Sequence, residues 1–182
     1  MTVTLDDVAC LLDIPIIGRL VAEADIEYED GIQLLQNELG FTEDEDQKEV
    51  TKQWGGYVSI NYLKECYERL LNMCNRLEHP ADDEQEKEKE QGLARNTCIK
   101  AFLLLLVGYT IFTNKNNKCV HLIRLKQFQD LDTLDEWSWG RMTLAFLYSQ
   151  LSLTSDAKIS VVGGYMILLE VIFFFFFLAD HQ

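Results

Sequence analysis

The pair Cys119-x-His121 comes nearest to a metal site in this sequence, since a thiolate and an imidazole two residues apart could supply two ligands. A structural zinc site needs four ligands, and the sequence contains no CxxC or HxxxH motif to supply the others. We therefore interpret the pair as a buried thiol beside a surface imidazole. No metal site is expected there.

The segment DIEYEDG (25–31) resembles a calcium-binding loop in its spacing of acids. Such a loop needs glycine at its sixth position and a carboxylate at its twelfth. Counted from Asp25, the glycine comes seventh, and position twelve is Gln36. The segment is therefore not expected to bind calcium.

Motifs for nucleophilic or phosphate chemistry are also missing from the sequence. There is no GxSxG elbow, and Gly55-Gly56 and Gly163-Gly164 lack the Lys-Ser/Thr or the spaced third glycine of phosphate-binding loops. The three histidines are few and scattered along the chain. We expect a protein that is not an enzyme, with no catalytic residues, no cofactor and no small-molecule substrate.

The distribution of charge restricts the class of partner. The 182 residues carry a formal net charge of −14, and a negative field repels phosphates, so direct binding of nucleic acid is not expected. Eleven acids and one base fall within residues 23–49, whereas six bases and no acid fall within residues 91–129. The two regions either face each other or are solvated, or the second forms a basic patch for an acidic partner. Charge segregation thus makes Arg124, Lys126 and Arg141 the candidate interaction surface, and Trp137 joins it as a possible aromatic recognition residue of the WSWG stretch (137–140).

The five cysteines are odd in number and irregularly spaced, which does not indicate a disulfide framework. They are interpreted as reduced thiols of an intracellular protein, mostly buried. The first fifteen residues contain two early aspartates and no basic region, so they are not a signal peptide.

Periodic apolar residues predict a mainly α fold in one domain over residues 1–182, because strand alternation is scarce. Thr4 and Asp7 can cap a first helix, Gly40 can end a second, and Ser59 can begin a third. A central buried helix is expected over 93–112, a further helix over 138–151, and a short extended segment near 119–125. Acidic loops are expected at 22–30, 42–53 and 81–91, the last of which could also be the exposed first turns of the next helix.

The carboxyl-terminal run 161–179 raises the question of a membrane anchor. It is nineteen residues long, carries one charge, Glu170, and includes five phenylalanines. A glutamate near the centre of a bilayer costs about 2.5–3.5 kcal/mol on insertion scales. The run is either a core helix with Glu170 paired or pointing outward, or a membrane anchor.

Four segments, in this order, resemble the plant mobile domain family, which is also called the aminotransferase-like plant mobile domain. The segments are TVTLDDVACLLDIPIIGRLV (2–21), KAFLLLLVGYTIFTNKNNKCVHLIRLKQFQDLD (100–132), EWSWGRMTLAFLYSQL (136–151) and GGYMILLEVI (163–172). Together they span most of the chain. Trp137, Ser138, Trp139, Gly140 and His121 carry the family signature.

The chain departs from the family pattern at three places. Asp13 stands where the family usually has glycine, Lys126-Gln127 replaces Pro-Leu, and EVIFFFFFLADHQ replaces a tryptophan-rich run after residue 169. These departures lead us to expect a truncated or incomplete copy of the domain, or a misassigned gene end.

The resemblance implies a non-catalytic nuclear domain that acts through protein partners in transposon silencing, gene expression and meristem maintenance. An aminotransferase activity is not expected, because no segment offers both a Schiff-base lysine and a phosphate-binding cup. Two alternatives stay open. One is a membrane-anchored protein that uses residues 161–179, and the other is a non-functional relic of a transposable element.

Overall fold

The computed structural model describes residues 2–21, 26–40, 56–77, 84–114, 118–154 and 162–179. These residues form six α-helices, two 3-10 helices and two short strands, so the mainly α fold is confirmed. In chain order the elements are α1 (Leu5–Leu12), α2 (Tyr28–Leu39), β1 (Tyr57–Ser59), α3 (Ile60–Leu77), α4 (Glu84–Tyr109), β2 (Cys119–His121), the 3-10 helices η1 (Leu122–Gln127) and η2 (Leu131–Glu136), α5 (Trp139–Thr154) and α6 (Met166–Ala179).

Two of the predicted acidic loops need correction. Residues 28–30 form the first turn of α2, and the charge run is helical from Glu84 onward, which is the second of its two interpretations. Glutamate, glutamine and lysine are good helix formers, so a dense run of these charged residues does not by itself break a helix. The loop at 42–53 lies outside the described residues, as do residues 22–25 and 81–83.

Helix α1 begins with the predicted capping box. The backbone N–H of Asp7 donates to Thr4 Oγ1 (3.3 Å), and the backbone N–H of Thr4 donates to Asp7 Oδ2 (2.8 Å). Hydrogen bonds from the Thr4 hydroxyl and then from its backbone N–H lower the pKa of Asp7. The cap therefore stabilises the helix at neutral pH, and this stabilisation is lost as the pH falls through the lowered pKa.

The end of α1 explains the departure at Asp13. This residue has φ 50° and ψ 41°, and its N–H donates to the carbonyl of Ala9 at 3.1 Å. Glycine adopts this left-handed conformation without steric cost, whereas aspartate pays part of that cost and tolerates it better than most residues. The position usually occupied by glycine in the family is thus one where the backbone itself favours glycine.

The two strands form an antiparallel ladder in which Tyr57 faces His121 and Val58 faces Val120. The extended segment predicted near 119–125 is confirmed for residues 119–121, after which the chain turns into η1. His121 causes this turn, because its Nδ1 accepts a hydrogen bond from the Ile123 N–H at 3.1 Å.

Helices α3 and α4 make the most extensive contact between two elements of the described structure. The predicted cap of α3 is present, since the Tyr62 N–H donates to Ser59 Oγ at 3.4 Å. Helix α4 runs over 84–109 instead of 93–112, and only one of its faces is buried. Leu104, Leu105 and Val107 lie in the core, whereas other apolar residues of the same helix face solvent.

Buried apolar side chains form two clusters. The larger cluster joins α2, β1, α3, α4, β2 and η1, and it includes Leu35, Leu63, Leu104 and Leu122. The smaller cluster joins the amino-terminal segment and α1 to α5 and α6. Its members are Val3, Val8, Leu147, Leu168 and Ile172.

An ion pair with little exposure links α2 to α4. Lys100 Nζ lies 2.7 Å from Glu38 Oε2 and donates to the carbonyl of Gln129 at 2.9 Å, while Gln129 Nε2 donates to Glu38 Oε1 at 3.1 Å. The side chains of Lys100 and Glu38 are 15% and 12% exposed. Glu38 belongs to the acidic region of the sequence and Lys100 to the acid-free region, so the two regions face each other at this pair.

Lys126 and Gln127, which replace Pro-Leu of the family pattern, lie in different environments. Lys126 is exposed, whereas Gln127 is buried beside Met142. Gln127 Nε2 donates to the Met142 sulfur at 3.0 Å, and Gln127 Oε1 is buried without a hydrogen bond. A buried carbonyl oxygen with no donor costs about 1–3 kcal/mol, so Gln127 is an unfavourable occupant of a site that suits an apolar side chain.

Gln127→Leu should raise the free energy of unfolding by about 1–2 kcal/mol, because it removes the unpaired amide oxygen and restores the leucine typical of the family. Urea denaturation of the purified chain measures the change. Lys126→Leu is the matched control and should change stability by less than about 0.5 kcal/mol, since that side chain is exposed. A loss of stability in Gln127→Leu would contradict this account of the buried amide.

Candidate functional site

The signature segment 136–140 holds the chain segment 15–19, and we call the resulting set of hydrogen bonds the clip. The four bonds run from Arg19 N–H to Glu136 O (2.7 Å), from Ser138 N–H to Arg19 O (2.9 Å), from Gly140 N–H to Pro15 O (2.9 Å) and from the Ser138 hydroxyl to Ile16 O (2.8 Å). Ser138 is fully buried. The Gly140 N–H belongs to the first turn of α5, so the clip also satisfies a donor that a helix leaves without an internal partner.

Glycine is required on both sides of the clip. A Cβ on Gly140 would lie 2.7 Å from Cγ2 of Ile16 and 3.2 Å from Cγ1 of Val8. A Cβ on Gly18 would collide with the Glu136 carbonyl oxygen, and Gly18 has φ 142°. Gly140 therefore lets the start of α5 approach the amino-terminal segment closely.

The two signature tryptophans pack at the start of α5, with specific contacts that the sequence did not indicate. Trp137 is 8% exposed, and the guanidinium carbon of Arg19 lies 4.5 Å from the centre of its ring. Trp139 stacks on Phe128 with ring centres 5.7 Å apart, and its indole N–H donates to the Leu134 carbonyl at 2.7 Å. Both side chains therefore bind neighbouring segments of the same chain.

The predicted interaction surface is divided by the fold. Arg124 is 2% exposed and Trp137 is buried, so neither can contribute to an exposed surface, and that part of the prediction is wrong. Arg124 lies in η1, whose residues pack into the larger core, and its guanidinium carbon stands 3.6 Å above the ring centre of Phe112. Lys126 and Arg141 are exposed, as predicted.

An exposed apolar stripe on α4 was not identified from the sequence. We call it the α4 face, and it consists of Ile99, Phe102, Leu106 and Tyr109, which are 39–52% exposed. Spacings of three, four and three residues place these side chains on one side of a helix. Phe102 also contacts Tyr67 of α3, with ring centres 5.8 Å apart. Because residues 101–107 are apolar almost without interruption, sequence periodicity could not separate the buried from the exposed side.

The stretch Lys89–Tyr109 of α4 has the length and hydropathy needed to cross a membrane, and 33% of that stretch is buried inside the fold. A core helix of a soluble protein meets the same criteria. The run predicted as a possible anchor lies elsewhere, in α6, and its first half belongs to the smaller core through Leu168 and Ile172. Glu170 is exposed, as one of the two interpretations of that run required.

Side chains that could ligate a metal ion do not converge in the described part of the chain. No three His, Cys, Asp or Glu side chains there lie close enough to hold a metal ion. Cys119 and His121 are both half-buried, and His121 makes an edge contact with Tyr57 at 4.6 Å. Burial and then the neighbouring Cys74 raise the pKa of the Cys98 thiol, which keeps it protonated at neutral pH.

Comparison with known proteins finds relatives for nearly the whole chain. The family model described as plant mobile domain matches residues 1–181. The protein MAIN-LIKE 2 of Arabidopsis thaliana is 33% identical over 170 residues, which are 93% of this chain and 22% of the relative. The protein MAINTENANCE OF MERISTEMS of Arabidopsis thaliana is 28% identical over 170 residues, which are 93% of this chain and 31% of the relative.

A third relative, MAIN-LIKE 1 of Arabidopsis thaliana, is 30% identical over 171 residues, which are 93% of this chain and 30% of the relative. The chain therefore spans between about a fifth and a third of the length of these curated relatives. No solved structure matches the chain. The family predicted from the four sequence segments is confirmed by these comparisons.

Gly140→Ala should lower the free energy of unfolding by about 1–3 kcal/mol, because the added methyl group would push α5 away from Ile16 and Val8. Gly92→Ala is the matched control. Nothing lies within 4 Å of a Cβ at Gly92 in α4, so this variant should gain about 0.5–1 kcal/mol from helix propensity. Thermal or urea unfolding measures both, and an equal response of the two variants would contradict the steric role of Gly140.

Proposed function

The chain belongs to the plant mobile domain family, and from this premise we propose that it is a non-catalytic protein-interaction domain that acts in the nucleus. The names of its relatives support a role in meristem maintenance. The nuclear location and the roles in gene expression and transposon silencing extend the resemblance drawn from the sequence. The single structural observation that supports an interaction role is the α4 face.

The α4 face presents large apolar side chains where a folded domain usually presents polar ones. Phe102 and Tyr109 are each about half exposed, and with Ile99 and Leu106 they form a continuous stripe over three turns. Single exposed apolar residues are common on protein surfaces, but contiguous stripes mark sites of contact with other proteins. Aromatic residues are also enriched among the side chains that contribute most to binding.

The shape of the α4 face favours an amphipathic helix of the partner. Four side chains over eleven residues of a helix extend about 15 Å, which matches about three turns of a second helix. The exposed Lys126 and Arg141 remain candidates for further contact with an acidic partner.

A photo-crosslinking amino acid placed at position 102 should form adducts with one or a few nuclear proteins, because Phe102 lies at the centre of the α4 face. The same group at position 73 is the matched control, since Met73 is 53% exposed on α3. The double variant Phe102→Asp, Leu106→Asp should reduce the affinity for the captured partner at least about tenfold, because it removes two apolar anchors.

Circular dichroism and thermal unfolding check that the double variant is still folded. Phe102 and Leu106 are half exposed, so their replacement should leave the fold intact. Identical adducts from positions 102 and 73, or full binding by the double variant, would contradict a contact through the α4 face. Binding that is lost only together with the fold would contradict it as well.

A membrane-anchored protein is the second candidate, and the exposed phenylalanines of α6 favour it. Phe173, Phe174 and Phe177 are each about 60% exposed, whereas Leu168 on the preceding turns is buried. Aromatic and aliphatic side chains on the outer side of a helix can enter the boundary of a bilayer.

Fractionation of the tagged, full-length chain separates the two candidates. A nuclear interaction domain is expected in the soluble nuclear fraction, and alkaline carbonate should release any of it that pellets. Retention in carbonate-washed membranes would overturn the primary proposal in favour of the anchor. Replacing Phe173, Phe174 and Phe177 by serine should then return the protein to the soluble fraction.

A further inference from the structure

Two of the five cysteines lie side by side in the fold, Cys74 in α3 and Cys98 in α4. Their thiols are hydrogen-bonded to each other, and both residues are free cysteines. A hydrogen bond that raises the pKa of a thiol is one that this thiol donates, so Cys98 is the donor and the Cys74 sulfur accepts. The irregular spacing of the cysteines gave no sign of this pair, because the pair depends on how α3 packs against α4.

The packing of α3 against α4 places the two thiols opposite each other. Tyr67 precedes Cys74 by two turns of α3, and Phe102 follows Cys98 by one turn of α4, so each cysteine lies on the same side of its helix as one of these rings. The two rings are in contact, with centres 5.8 Å apart. The path from ring to thiol therefore runs in opposite directions along the two helices, as in an antiparallel pair. The ring contact and the extensive contact between the helices hold the thiols together independently of their hydrogen bond.

The two thiols differ in burial and therefore in reactivity. Cys98 is 8% exposed, whereas Cys74 is half-buried and so reaches the surface. Burial, then the charge of Cys74 and then the hydrogen bond to it raise the pKa of Cys98, so this thiol keeps its proton. Oxidation of cysteine follows thiolate character and exposure. Cys74 is therefore the residue that a small oxidant attacks first, and Cys98 is placed to react with the product.

The spacing of packed helices suits a covalent bond between facing cysteines. Axes of helices in contact lie about 8–10 Å apart and Cα atoms lie about 2.3 Å from each axis, so Cα atoms that face each other are about 3–6 Å apart. Disulfides span about 4.4–6.8 Å between Cα atoms, which overlaps this range. Two sulfurs that share a hydrogen bond can therefore be joined without separating α3 from α4.

We propose that Cys74 and Cys98 form an oxidation site, where a hydroperoxide converts the two thiols into a disulfide that joins α3 to α4. In the first step the Cys74 sulfur attacks the O–O bond, which breaks, and Cys74 becomes a sulfenic acid while the rest of the peroxide leaves as an alcohol or as water. In the second step the Cys98 sulfur attacks the Cys74 sulfur, the S–S bond forms, and the hydroxyl leaves as water with the Cys98 proton. The two thiols lose two electrons and two protons, and the peroxide is reduced.

The disulfide restricts the pair formed by α3 and α4. It closes a loop between residues 74 and 98, which removes conformational freedom from the unfolded chain and thereby stabilises the two helices. Phe102 lies one turn beyond Cys98, so the bond forms next to the α4 face. The oxidation site does not rest on the proposed interaction role, since it depends only on the contact between the two helices.

Peptide mapping of the full chain after treatment with hydrogen peroxide tests the proposal, because trypsin places the five cysteines in five different peptides. Cys74 falls in LLNMCNR (70–76) and Cys98 in NTCIK (96–100). After the remaining thiols are blocked with iodoacetamide, the folded chain should yield these two peptides linked at least about tenfold above any other pairing. Dithiothreitol should separate them again.

Cys10 is exposed and serves as an internal measure of oxidation in the same sample. Oxidation of Cys10 while Cys74 and Cys98 stay reduced would overturn the proposal, and so would a disulfide formed mainly between Cys74 and another cysteine. This mapping uses the unmodified chain, so its result does not depend on the folding of any variant.

A pair of variants tests the order of the two steps. Cys98→Ser removes the second thiol, so the sulfenic acid of Cys74 should persist and react with a cyclic 1,3-diketone, whereas the unmodified chain should show little such labelling. Cys119→Ser is the matched control, since Cys119 is half-buried like Cys74, and it should leave the disulfide unchanged. Equal labelling of Cys74 in Cys98→Ser and in the unmodified chain, or loss of the disulfide in Cys119→Ser, would contradict the proposed site.

Discussion

The clip between residues 15–19 and 136–140 is the constraint on which the arrangement of the helices depends. It fixes the start of α5 against the chain that leaves α1, and α5 in turn carries Leu147 into the smaller core. The carbonyl of Pro15 suits this role, because proline has no N–H to satisfy and its oxygen is free to accept from the first turn of a helix. Signature residues that look like a recognition motif thus serve to join two distant parts of the chain.

Arg124 is buried because it lies in η1, which packs into the larger core. The strand β2 ends at His121, whose side chain bends the backbone into η1, and five of the six residues of η1 are buried. The guanidinium placed there stands 3.6 Å above the ring centre of Phe112, which covers it with an aromatic face. The charge that the sequence assigns to the surface is therefore buried against an aromatic ring, whereas the surface of α4 carries apolar side chains.

Local signals in the sequence were sufficient where a few neighbouring residues determine the structure. The Thr4–Asp7 capping box, the left-handed Gly40 and the Ser59 cap are examples, since each depends on hydrogen bonds within a few residues. Such local signals could not predict contacts between residues that are distant in the sequence. The burial of Arg124 depends on Phe112 and η1, and the exposure of Phe102 depends on which side of α4 meets the rest of the fold. The unfavourable Gln127 was visible only as a departure from the family pattern.

The smaller core has a consequence for biosynthesis, because it unites residues from both ends of the described chain. Val3 and Val8 are translated well before their partners Leu168 and Ile172, which follow them by 160 or more residues. At about 5–20 residues per second, this delay lasts roughly 8–33 s. Throughout that time the smaller core is incomplete, so the apolar side of α1 is packed fully only after α6 has been synthesised.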